Sequence, residues 1–197
     1  MATEKLRALI QYAKSIGMQI LTMKQLYQMM NKDEPVILEE AAMTITATGT
    51  GAGVATFSVR VREDTLFTLD GNGKFYTNSA ATEGESSTWE CLNIGNTQRT
   101  IYIKCTSGVS NLKFTKRNLY RINYLSGSNA PGLGGDIGQF DDINYIHIEG
   151  NNTVNGDISN YINLTRLLVL GANTISGDIS ELTKLNYLHV DGSNNIS

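Results

Sequence analysis

The chain has two histidines, His147 and His189, and they stand 42 positions apart. Imidazoles are the side chains most often used to bind a metal or to carry a proton at neutral pH. The two lie in corresponding places of a 21-residue repeat, two copies apart. If each copy is one rung of a stack, they are separated by roughly 9.5 Å. Two nitrogens on one zinc must lie within about 4 Å of each other, so a shared metal is not expected. No serine or cysteine motif accompanies the histidines, and no glycine-rich loop follows a strand and opens a helix as a phosphate cradle would. Neither catalysis, a metal nor a cofactor is expected.

Binding is the chemistry that the repeat does offer. Strand alternation puts every second residue on one open, concave face. This groups Tyr145, Arg166 and Tyr187, then His147, Leu168 and His189, then Glu149, Leu170 and Asp191. Aromatic and charged residues on such a face are candidate ligand-binding groups, and equally an ordinary solvated surface.

Three other features carry potential chemistry. Cys91 and Cys105 both lie in strand-like runs; two buried free thiols are expected, with a cross-strand disulfide as the alternative. Asp70-Gly71-Asn72-Gly73 could open a calcium loop, but the twelfth position is Ala81 where a bidentate glutamate belongs, so a hairpin turn is expected. The basic run KFTKRNLYR, residues 113 to 121, reads as a solvated strand or loop face. A net charge of -3 gives no reason to expect nucleic acid.

The element that must position the candidate face is the repeat. Asp136, Asp157 and Asp178 align at a period of 21, as do Ile146, Leu167 and Leu188, then Ile148, Val169 and Val190. Gly150, Gly171 and Gly192 follow, and then Asn152, Asn173 and Asn194. A degenerate earlier copy reads Leu119, Ile122, Tyr124 and ends in GGDIG. The pattern L-x-x-L-x-L-x-G-x-N-x-I resembles a leucine-rich repeat, with the Asn one position later than usual, and GDIS is similar to the G-x-I-P of the plant-type repeat. The resemblance covers about 80 residues and implies a solenoid of short parallel strands, with extended or 3₁₀ pieces on the other side. The Asn column is expected inside, bonded to turn backbone. The last copy breaks off after Ser197, where GDIS would follow, so continuation of the native chain is expected.

Residues 36 to 115 read as about seven short strands separated by turns, a small Ig-like β-sandwich. The solenoid then takes 116 to 197. Residues 1 to 35 read as helical, with Leu6, Leu9, Ile10 and Ile16 on one apolar face and Leu26, Met29 and Met30 on a second short helix. Five of the six methionines fall in the first thirty residues. The segment carries five basic and three acidic residues, and it reads as an anchor that self-associates or docks on a larger assembly. It shows neither a signal peptide nor a spanning stretch, so membrane insertion is not expected.

Asn-rich repeats of this kind behind a small β-sandwich resemble surface proteins of gut Bacteroidetes. Joined to a helical anchor without an export signal, the whole resembles a fibre or other virion appendage of a Bacteroidetes phage, assembled in the host cytoplasm. That resemblance implies a homo-oligomer, dimer or trimer, attached to capsid or tail proteins and presenting its repeats to a host-surface glycan or protein. A bacterial cell-surface adhesin and a cytosolic protein-binding scaffold are the alternatives.

Overall fold

The alternating apolar residues of the central and C-terminal sequence make a two-layered β structure. The computed structural model describes residues 41–47, 53–115 and 118–197. The expected helical anchor and its contacts, Leu6, Leu9, Ile10, Ile16, Leu26, Met29 and Met30, lie outside the described residues. Glu39–Ser197 is one compact unit. Strands make up 56% of the structure, and no α-helix occurs among the described residues.

Seven strands precede residue 115: β1 (Ala41–Thr46), β2 (Ala55–Val61), β3 (Thr65–Leu69), β4 (Gly73–Tyr76), β5 (Thr88–Cys91), β6 (Arg99–Cys105) and β7 (Val109–Phe114). Then follow β8 (Leu119–Leu125), β9 (Gly132–Asp136), β10 (Tyr145–Asp157), β11 (Arg166–Gly177), β12 (Tyr187–Gly192) and β13 (Asn195–Ile196). Sheet I runs β5-β3-β7-β1-β9 and continues into the later parts of β10 and β11 and into β13. Sheet II runs β4-β6-β2-β8 and continues into the first parts of β10 and β11 and into β12.

The turn at Asp70–Gly73 is present, with Gly71 at φ +61°, but it does not make the expected hairpin. β3 pairs with β5 and β7 in sheet I, whereas β4 pairs with β6 in sheet II. The turn carries the chain from one layer to the other. Asp70 is held instead by Asn111, whose backbone N–H and Nδ2 donate to its two carboxylate oxygens at 2.6 and 2.7 Å.

The solenoid grows directly from the sandwich. β8 is antiparallel to β2 on one side and parallel to β10 on the other. Ile122 stands in register with Ile146, Leu167 and Leu188, and Tyr124 with Ile148, Val169 and Val190. The degenerate copy is therefore the first rung. Each later rung bends sharply near its glycine and gives a second stretch to sheet I, such as Thr153–Asn155 against β9. The side away from the candidate face thus holds extended pieces, together with a 3₁₀ turn at Ile137–Gln139.

One hydrophobic core runs through both regions, from Met43 and Phe57 to Leu164 and Leu182. Phe57 meets Phe67 edge-on across the layers at 5.5 Å, and Phe114 of β7 stacks on Phe140 of the first full repeat at 5.7 Å. Such aromatic pairs add about 0.5–1.5 kcal/mol each beyond area burial.

At the rung corners Asn152 and Asn173 are 1% exposed. Asn152 Oδ1 accepts the N–H of Leu133, and Asn194 Oδ1 accepts that of Ile175. The column sits inside and satisfies backbone donors, as expected, but those donors belong to the preceding rung. The aspartate column does similar work on the outside. Asp136, Asp157 and Asp178 accept the backbone N–H two residues on, from Gly138, Ser159 and Ser180. Cys91 and Cys105 are buried free thiols.

Candidate functional site

The outward residues of sheet II make three rows that cross the strands. Backbone pairing sets them side by side at about 4.8 Å. The first row is Arg60 on β2, Arg121 on β8, Tyr145 on β10, Arg166 on β11 and Tyr187 on β12. The second is Thr100, Ser58, Asn123, His147, Leu168 and His189. The third passes through Tyr102, Thr56, Leu125 and Glu149, with Leu170 and Asp191 at the matching ends of their strands.

In the first row guanidinium groups and phenol rings are stacked. The guanidinium carbon of Arg121 lies 3.6 Å from the centre of the Tyr145 ring, and that of Arg166 lies 5.9 Å from it. Arg166 also covers Tyr187 at 3.9 Å. Beside the β2–β8 bulge, Arg60 lies 3.3 Å and Arg62 4.9 Å from the centre of the Tyr120 ring. Cation–π contacts of this kind contribute about 0.5–2 kcal/mol each. The Nε atoms of Arg60, Arg62, Arg121 and Arg166 are buried without a hydrogen-bond partner. Arg62 is neutralised by Asp142 at 3.0 Å, and Arg121 donates to Gln98 at 3.1 Å. Among the described residues no carboxylate pairs with Arg60, Arg121 or Arg166.

In the second and third rows each histidine is held within its own strand. His147 Nε2 lies 2.6 Å from Glu149 Oε1, and its Nδ1 lies 3.3 Å from the Tyr145 hydroxyl. His189 Nε2 lies 3.4 Å from Asp191. Leu168 stands in register between the two histidines.

All seven residues expected on the open face, Tyr145, His147, Glu149, Arg166, Tyr187, His189 and Asp191, thus lie on one face. That face is wider than the repeats. It extends over the sandwich through Arg60, Arg121 and Asn123, which sequence reasoning did not single out, with Ser58 beside them 3% exposed. Their alternation in VATFSVRVR and LYRINY marked them as outward-facing, but nothing in the sequence joined β2 to β8. The basic run at 113–121 is divided, with Lys113 on β7 of sheet I and Arg121 in this row of sheet II. Next to the row, an open cleft of about 490 Å³ is lined by Trp89, Glu90, Leu92, Ile94, Gln98, Arg99 and Thr100.

No protein-family model, curated protein or solved structure matches the chain.

Proposed function

We propose that this chain is a structural and binding protein, and that its context is a phage particle, where it forms a fibre or appendage anchored by its N-terminal segment. The observation that carries the binding role is the continuous outer face of sheet II, whose side chains are ordered in rows by backbone pairing across sandwich and solenoid. Rigid sheets that share one core suit passive presentation of such a surface rather than catalysis. The seven strands before residue 115 support an Ig-like assignment for the sandwich, and the parallel apolar columns support a leucine-rich-repeat-like one for the rungs. In this reading the first 35 residues form the homo-oligomeric attachment to capsid or tail proteins, and the sheet face meets the host surface.

The test is a density gradient of native lysate, followed by mass spectrometry of the fraction that holds the protein. Co-banding with capsid and tail proteins is expected. Co-fractionation with outer membrane, without capsid proteins, would replace the particle assignment with a bacterial surface adhesin and leave the binding face as it is.

A further inference from the structure

We infer that the arginine–tyrosine row of sheet II binds an anionic polysaccharide through its guanidinium edges. This rests on the reading of that face as a binding surface and names its ligand class. Neutral sugars are usually held by open aromatic faces, and in this row those faces are taken. Arg121 and Arg166 lie over Tyr145, and Arg166 lies over Tyr187. The Nε atoms are buried and Arg121 Nη1 is given to Gln98, so the donors left for a ligand are the remaining terminal Nη–H groups, which suit carboxylate or sulfate oxygens.

Charge complementarity favours an anion. Arg60, Arg121 and Arg166 lack a carboxylate among the described residues, whereas Arg62, at the margin, has Asp142. The acidic groups of the face are already engaged. Glu149 Oε1 lies 2.6 Å from His147 Nε2, and Asp191 lies 3.4 Å from His189 Nε2. The flanking cleft is mixed in character, with Arg99 and Glu90 beside the exposed Leu92 and Ile94.

Geometry favours a polymer. Arg60 and Arg121 stand on adjacent strands, and Arg166 stands two strands beyond Arg121. The strand positions that carry the three cations therefore span about 14 Å, more than a single small anion bridges. Stacking holds the guanidinium planes before a ligand arrives, so less side-chain freedom is lost on binding.

The experiment is affinity electrophoresis and calorimetry of the full chain with four probes: polygalacturonate, chondroitin sulfate, neutral dextran and single-stranded DNA. Retardation by polygalacturonate or chondroitin sulfate is expected, and the comparison of the two identifies carboxylate or sulfate as the source of the anion. Neutral dextran is expected to have no effect. Arg121→Gln and Arg166→Gln are each expected to weaken binding about tenfold and to flatten its salt dependence. Arg166→Lys keeps the charge and loses the fork; it is expected to retain the salt dependence at reduced affinity. An unchanged thermal melt shows that each variant folds. Three results would overturn the inference: no retardation by either acidic polymer at low salt, affinity unchanged in the arginine variants, or equal binding of single-stranded DNA. Binding of dextran that the arginine variants leave intact would also overturn it, while sparing the wider binding role of the face.

Discussion

Asn173 reaches back one rung and accepts the backbone N–H of Val154 on its Oδ1 at 3.1 Å, from a side chain that is 1% exposed. The donor it satisfies belongs to β10, so the bond joins two rungs at their corners. Removing it orphans a buried N–H, which costs about 1–3 kcal/mol. Asn173→Ala is expected to lower the unfolding free energy by that amount in chemical denaturation. Asn194→Ala breaks the same bond type to Ile175 in a half-buried setting, and a smaller loss is expected. Equal losses at both positions would show that burial does not set the strength of this column.

The corner glycines give a sharper contrast. Gly171 has φ +132°, and a Cβ there would lie 2.8 Å from the Asn152 carbonyl oxygen and 2.9 Å from that of Gly150. Gly171→Ala combines backbone strain of about 1–3 kcal/mol with a clash against backbone that cannot rotate away. A clear fall in Tm is expected. A Cβ at Gly127 meets nothing within 4 Å, and Gly127→Ala is expected to change stability by less than about 0.5 kcal/mol.

Acid is expected to loosen the outer turns of the rungs. Asp157 is held below the ordinary carboxylate range by its hydrogen bonds from the Ser159 side chain and backbone, and Asp178 by those from Ser180. Asp70 is lowered in the same way by Asn111. A carboxylate with a depressed folded pKa contributes stability above its unfolded value, and this contribution disappears as pH falls through the folded value. Thermal melts should therefore hold steady near neutrality and fall below the ordinary aspartate value of 3.8. Asp157→Asn keeps an oxygen acceptor and removes the titration, so its melt is expected to depend less steeply on acid. A variant that follows the parent curve at every pH would rule out a contribution from Asp157.

Burial pushes the Cys91 thiol up to about 11, against a smaller downward pull from Arg99. The thiolate is the reactive form, and Cys91 is 1% and Cys105 2% exposed. Ellman's reagent at pH 8 is expected to react slowly with the native protein and to report two thiols once it is denatured. Rapid native labelling would mean that β5 opens readily at the edge of sheet I.

The stacked part of the fold was legible because its signal is repeated. Ile146, Leu167 and Leu188 carry the same side-chain type at the same spacing, and stacking leaves Ile146 and Leu167 fully buried between rungs, with Leu188 on β12 still 41% exposed. The open face was legible for the same reason, since alternation fixes sidedness within any strand. What could not be read was pairing between strands distant in sequence. The Asp70–Gly73 turn has hairpin chemistry, yet the layer that receives β4 is decided by β6, about thirty residues later. Arg60 stands beside Arg121 in a regular register of β2 and β8 that shifts only past Arg60, at Val61, and register is a property of two strands rather than of one. The rows of sheet II were therefore visible across the repeats and invisible across the sandwich.

β8 has a further consequence for heredity. Because it turns antiparallel pairing with β2 into parallel pairing with β10, everything above it is added by repetition and everything below it is untouched. An in-frame duplication or loss of one 21-residue unit lengthens or shortens the molecule by one rung without disturbing the sandwich. Gain or loss of a unit would therefore vary the reach of this protein, and the number of side chains on its outer face, one rung at a time.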